Sequence, residues 1–226
     1  MSLFAALEAK FAELKESCVS RYPLPGLRIG DKRAALSIVQ GGMGVGISLS
    51  GLAAAVAREG GIGVIAANAI GMIENDYYAD PVAANLRALR REIREARRRT
   101  AGVIGVNIMV AVDCFHELLG AAIEEKADIL FLGAGLPIKG IPVQALRRAG
   151  VQVVPIVSSA RAARLIFRSW EKAYHDIPDG VVVEGPRAGG HLGFKPEQID
   201  DPGFKLERLV PEVIGALTEF EIRWNR

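Results

Sequence analysis

Gly180-Val181-Val182-Val183-Glu184-Gly185-Pro186-Arg187-Ala188-Gly189-Gly190-His191-Leu192-Gly193-Phe194 is the stretch whose reading decides the fold. A short apolar run ends at the Glu184 carboxylate and passes into a loop with four glycines, one proline and one histidine. Glycine lets a backbone turn sharply and approach a ligand closely. Histidine is the side chain best suited to moving a proton near neutral pH. A buried strand that delivers such a loop at its end is how parallel α/β proteins build their sites. Alone, the stretch reads equally well as a turn with a surface histidine, so the rest of the chain has to decide.

The same unit recurs upstream. Residues 36–39, 62–66, 103–109, 128–132 and 151–157 form apolar runs rather than polar–apolar alternations. That is the pattern of strands buried on both faces of a parallel sheet. Helical periodicity fills the gaps at 49–58, 81–99, 114–125, 141–149 and 159–173, and again at 206–217 after the quoted stretch. Ser48 or Ser50 is expected to cap the first of these helices, and Ser158 or Ser159 the fifth. Pro81 suits a first turn, and Gly150 a stop. Strand and helix therefore alternate six times. The α/β pattern fits either an open doubly wound sheet or a (β/α)8 barrel that is incomplete here. Residues 1–35 read as an N-terminal helix and cap, with 36–226 as the partial barrel. Phe4, Leu7, Phe11 and Leu14 give an amphipathic helix over 3–16, and residues 27–32 a small hairpin over one end of the fold.

Composition narrows the classes. A chain of 226 residues, 50% apolar and 24% charged, can bury one sizeable core. A net charge of +2 is too small to imply nucleic acid as a partner. Cys18 and Cys114 are isolated, lack metal-ligand spacing and read as free thiols in a reducing compartment. No apolar stretch is continuous enough for a membrane span or a signal peptide. A cytoplasmic protein is expected.

Several motifs need weighing. Gly61-Ile62-Gly63-Val64-Ile65-Ala66 spells the dinucleotide fingerprint but precedes a strand instead of following one, so it is rejected. The glycine loop Gly41-Gly42-Met43-Gly44 has the right context, between strand and helix, to offer backbone N–H groups to a flat or anionic ligand. Asn107 interrupts the third apolar run, and a polar side chain there needs a partner. On the helix beginning at Pro81, Val82, Leu86, Leu89, Ile93 and Ala96 line one face, and Arg87, Arg91, Arg94 and Arg98 the other. That basic face is either solvated or a docking patch for an acidic partner. His116 and His175 have no companion ligands and read as structural or surface residues.

Taken together, these pieces resemble the nitronate monooxygenase family, formerly 2-nitropropane dioxygenases, and its relatives the flavin-dependent enoyl-acyl carrier protein reductases. The resemblance rests on Ile38-Val39-Gln40-Gly41-Gly42-Met43, Gly60-Gly61-Ile62-Gly63 and Gly105-Val106-Asn107-Ile108-Met109. Gly133-Ala134-Gly135-Leu136-Pro137, Val154-Pro155-Ile156-Val157, Glu184-Gly185 and Ala188-Gly189-Gly190-His191-Leu192-Gly193 follow in order. It spans about residues 27 to 217. It implies an FMN-dependent (β/α)8 TIM barrel of which about six βα units are present and the last two, with their phosphate-binding loops, are missing. It further implies that Gly41, Gly42 and Met43 lie along the flavin ring and that Asn107 bonds a polar edge of the cofactor. Glu184, Gly189 and Gly190 would shape the adjoining loop, and His191 would be the active-site histidine. Glu212 stands where relatives often carry a cofactor-contacting glutamine.

The activity implied first is oxidation of alkyl nitronates with O2 to a carbonyl compound and nitrite. The alternative is reduction of an enoyl thioester by NAD(P)H through FMN, with an acyl carrier protein on the basic face. A third reading, from the missing units, is an inactive partial barrel acting as a binding unit. Six strands cannot close a barrel built for eight, so open edges and weak or absent FMN are expected. A small molecule is the expected partner, and a homo-oligomer remains open.

Overall fold

The computed structural model describes residues 24–225. The helix expected over 3–16 and Cys18 lie outside these residues. A two-stranded hairpin, β1 (Leu27–Ile29) with β2 (Lys32–Ala34), comes first. Then follow α1 (Ser50–Arg58), β3 (Gly63–Ala66), α2 (Pro81–Arg99), β4 (Ile104–Met109), α3 (Phe115–Glu124) and β5 (Ile129–Gly133). The chain continues through α4 (Val143–Ala149), β6 (Gln152–Val157), α5 (Ala160–Tyr174), β7 (Val182–Val183) and α6 (Leu206–Trp224). Strands β3 to β7 form one parallel five-stranded sheet in chain order. Simple sequential order, with a helix between neighbours, is the topology of a barrel wall rather than a doubly wound sheet.

Register sorts the side chains into two layers. Ala66, Asn107, Phe131 and Val154 stand in one row across β3–β6, and Val64, Gly105, Ile129 and Gln152 in the row below. Val64, Ile129, Phe131 and Val154 pack with Ile62 and the hairpin's Ala34 on the concave side. The alternate residues Ile65, Ile104, Val106, Ile108, Leu130, Leu132 and Val153 join Leu89, Ile93, Leu118, Leu146, Ile166 and Trp170 of the helices. Strands β3 to β6 are therefore buried on both faces, which is why their runs read as continuously apolar.

The sheet is open, as six strands predict. The first expected strand, 36–39, shrinks to a single parallel bridge, Val39 with Ile62, flanked by hydrogen bonds from Leu36 N to Gly60 O and Gln40 N to Ile62 O. The sixth, expected over 180–183, keeps two residues. Among the described residues each of these outer segments has a ladder neighbour on one side only, and its ladder is short. Ile38, Val39 and Val182 are exposed accordingly. Among the described residues no helix is long and apolar enough to cross a membrane.

The helix signals fare unevenly. Ser159 accepts from Ala162 N–H at 3.2 Å, Gly150 ends α4 at φ +69°, and Pro81 opens α2 behind an Asp80 cap. Neither Ser48 nor Ser50 caps α1. Leu49 holds that position, and the α2 residue Glu92 reaches across to bond Ser50 N–H at 3.0 Å and Oγ–H at 2.6 Å. The buried stripe of α2 is also rotated from the expected one. Val82 is 41% exposed, whereas Asn85 and Glu92 are buried. Both polar groups have partners, Asn85 Oδ1 accepting from Gly71 N–H at 2.7 Å, as burial requires.

The hairpin closes the amino end of the sheet. Gln152 Nε2, at the start of β6, donates to Asp31 Oδ1 at 2.9 Å, and Lys32 lies 3.9 Å from Asp128 ahead of β5. Beside it Arg147 forks onto Asp176 at 2.7 Å and Asp179 at 2.6 Å and donates to Ile177 O, while Asp179 also takes the Val153 N–H. Burial works against the Arg147 charge, but the two carboxylates outweigh it and raise its pKa.

Candidate active site

The carboxyl ends of the strands carry the glycine loops. Residues 40–48 cross the top of the sheet, held by side chains acting as surrogate backbone. Gln40 bridges Val64, its Nε2 donating to Val64 O at 2.9 Å and its Oε1 accepting from Val64 N–H at 3.2 Å. Ser48 Oγ accepts from Met43 N–H at 3.0 Å, and Val45 N–H donates to Asn68 O at 2.9 Å. The loop turns through Val45 at φ +49° and Gly46 at φ +74°. A β-branched residue at positive φ is strained, and such strain is found at ligand sites more than elsewhere.

This arrangement lays Gly42 on Asn107. A Cβ on Gly42 would stand 2.7 Å from Asn107 Cβ and 3.2 Å from its Oδ1, so only glycine fits there. Asn107 points to the concave side in the row of Phe131, and its Nδ2 donates to Phe131 O at 3.2 Å. No other hydrogen bond of that side chain is formed among the described residues, which leaves Oδ1 and one N–H without a partner there. Met43 is 58% exposed beside it. Gly41 has space for a Cβ with nothing within 4 Å.

The second half of the site lies across the sheet. Glu184 ends β7, its N–H bonded to Val157 O at 2.8 Å. The loop then runs through Gly189, Gly190 at φ +85° and the exposed His191, and returns to β6 at Gly193. Glu184 Oε2 accepts from Gly193 N–H at 3.2 Å, and Ser158 Oγ donates to Gly193 O at 3.3 Å. Gly189 and Gly190, like Gly41, border open space. Met43, Asn107, Glu184 and His191 thus share the carboxyl end of the sheet. Glu212 stands apart on the exposed side of α6, where Arg208 lies 3.4 Å from its carboxylate.

The basic face of α2 differs from a free docking patch. All seven of its arginines meet a carboxylate: Arg87 and Arg91 reach Glu74, Arg90 and Arg94 reach Glu125, Arg97 reaches Asp128, and Arg98 and Arg99 reach Glu95. Paired charge projects a weaker field than the sequence count implies. Sequence reading missed Gln40, Ser48 and Ser158 as loop anchors. Gln40 at least carries a signal, since a glutamine directly before a glycine loop at a strand end can take over the ladder.

Comparison with known proteins fits this architecture. The family model "Nitronate monooxygenase" matches residues 31–218, and the chain belongs to that family, a family of oxidoreductases. No curated protein sequence matches it. Among solved structures, FabK from Thermotoga maritima is 30% identical with a TM-score of 0.56, over 77% of this chain and 47% of that one. Nitroalkane oxidase from Streptomyces ansochromogenes is 22% identical with a TM-score of 0.62, over 88% of this chain and 57% of that one, a likeness of fold. The chain spans about half the length of these solved relatives.

Proposed function

We propose that this chain acts as an FMN-dependent oxidoreductase of the nitronate monooxygenase type, on alkyl nitronates. The observation that carries the reading is the seating of Gly42 against Asn107, opposite the His191 loop, at the carboxyl end of a parallel barrel wall. The residues fit a flavin ring. Gly41, Gly189 and Gly190 leave open space, Met43 offers an apolar surface, and Asn107 keeps a polar edge unpaired among the described residues. Gly41, Gly42 and Met43 would lie along the ring and Asn107 would bond its edge, with Glu184 shaping the loop alongside. Glu212 would serve only a part of the cofactor that extends over α6.

When bound, FMN supplies the redox chemistry, by which the nitronate is oxidised and O2 reduced, giving a carbonyl compound and nitrite. The protein supplies position and protons. His191, exposed on its glycine loop, would accept the α-proton of a neutral nitroalkane or donate a hydrogen bond to a nitronate oxygen. The glycines let substrate and ring approach the backbone closely. Oxygen uptake on adding a nitronate, without NADH, tests the reading, and its absence in an FMN-loaded chain would sink it.

A second reading is supported by the 30% identity to FabK (enoyl-ACP reductase). NAD(P)H would then be consumed anaerobically with an enoyl thioester. Docking of an acyl carrier protein on α2 would have to displace arginines from their present carboxylates, at a cost this reading must meet.

A further inference from the structure

The loop that carries His191 is fixed at few points. On its leading side, Gly185 is wedged beneath Leu206, where an added Cβ would lie 3.0 Å from Leu206 Cγ, and Ala188 N–H closes a turn onto Gly185 O. On its trailing side, the Phe194 ring meets Phe204 edge-on at 6.0 Å. Between them Gly189, Gly190 and His191 are exposed. The anchor nearest the imidazole is Gly193, two residues on.

Gly193 is held from both sides by two different strands. Its N–H donates to Glu184 Oε2 at the end of β7, and its C=O accepts from Ser158 Oγ at the end of β6. The fit is tight: a Cβ on Gly193 would fall 2.4 Å from Ser158 Oγ and 2.9 Å from Ser158 Cβ. Ser158 precedes the α5 cap Ser159 and is free of capping duty itself. We propose that Ser158 is a positioning residue for His191: together with Glu184 it fastens Gly193 to the ends of two neighbouring strands and so sets where the loop presents the imidazole. This rests on the reading of His191 as the residue that meets substrate. It also gives Glu184 a task in the chain itself, that of loop anchor.

The test joins a structural readout to a kinetic one. Amide exchange over residues 185–194, and trypsin cleavage after Arg187, are compared in the unaltered chain, Ser158→Ala, Ser158→Thr and His191→Ala, each loaded with FMN. Ser158→Ala is expected to raise loop exchange roughly two- to tenfold, the effect of losing one hydrogen bond. It should lower nitronate turnover with little change in KM, and Ser158→Thr, which keeps the hydroxyl, should restore both. His191→Ala should lower turnover by roughly 10²–10⁴-fold and leave exchange unchanged. A double cycle adds a readout independent of activity: Gly193→Ala should disturb the loop less in a Ser158→Gly background, because the clash is gone. Unchanged exchange in Ser158→Ala, or looser exchange with full turnover, would overturn the proposal. A loop that loosens in a chain where His191→Ala has no kinetic effect would keep the clamp and refute the reading of the site.

Discussion

The two ends of the strands are built on opposite terms. At the amino end a set of polar side chains is mutually engaged: Asp31 with Gln152, Arg147 with Asp176 and Asp179, Asp128 with Ile104 N–H and Arg97. The hairpin adds Ala34, Leu27 and Ile29 to the concave core there. At the carboxyl end, glycines border empty space, Met43 is exposed, and the His191 loop hangs from a few single contacts. A cavity of about 740 Å3 does exist near the amino end, lined by Val181, Val210, Val213 and Leu217 beside Arg147, on the flank of β7. It holds none of the glycine loops or His191. The saturated end serves stability, and in the proposed reading the open end is where the chemistry takes place, as in parallel barrels generally.

That contrast can be broken by substitution. The largest effect is expected from His191→Ala, which should lower nitronate turnover by roughly 10²–10⁴-fold, the worth of a placed proton-transfer group. Its unfolding free energy should stay within about 0.5 kcal/mol, as for other exposed side chains. Urea denaturation beside steady-state kinetics checks both. Arg147→Ala should do the reverse. It removes the guanidinium that faces Asp179, whose side chain is 5% exposed, and should cost roughly 2–3 kcal/mol of stability, less than for a fully buried pair. Flavin affinity should hold under conditions where that variant is folded.

Gly42→Ala sharpens the comparison within the carboxyl end. Its new methyl would meet Asn107 at 2.7 Å, a strain of roughly 1–2 kcal/mol, and FMN titration should show weaker binding. Gly41→Ala, whose methyl meets nothing in the chain itself but enters the space left for the ring, should also weaken FMN binding, without strain in the free chain. The smallest effect concerns α6. The Trp224 indole N–H, followed by Arg223, holds the Glu171 carboxyl below its ordinary value of 4.5. A depressed carboxylate stabilises the fold above its unfolded pKa, and that contribution is lost as pH falls through the lower folded value. The melting temperature of the unaltered chain should exceed that of Glu171→Gln near neutral pH and converge with it in acid.

The strands and most helices were legible because burial on two faces leaves unbroken apolar runs, and because Pro81, Gly150 and Ser159 act locally. The hairpin was legible from residues 27–32 because Gly30-Asp31 makes a local turn, Gly30 at φ +58°. The outer strands were overestimated, since a run such as 36–39 states its apolarity and not how many neighbours it has. Glu92 capping α1 joins residues 42 apart, and Ser158 meeting Gly193 joins residues 35 apart. Neither leaves a periodic trace. The arginine face showed its exposure in its spacing, but its carboxylate partners come from other segments. The glycine loop and Asn107 were legible as separate oddities, and only the fold shows Gly42 resting on Asn107.

The central claim is that the carboxyl end holds FMN against Gly42 and Asn107 and presents His191 to a nitronate. Its most direct test is the absorbance of the purified chain titrated with FMN and then mixed with a nitronate without oxygen. Saturable FMN binding that Gly42→Ala weakens is expected, followed by bleaching of the oxidised flavin band on mixing. A chain that takes up no FMN, or bound FMN whose oxidised spectrum persists in excess nitronate, would contradict it.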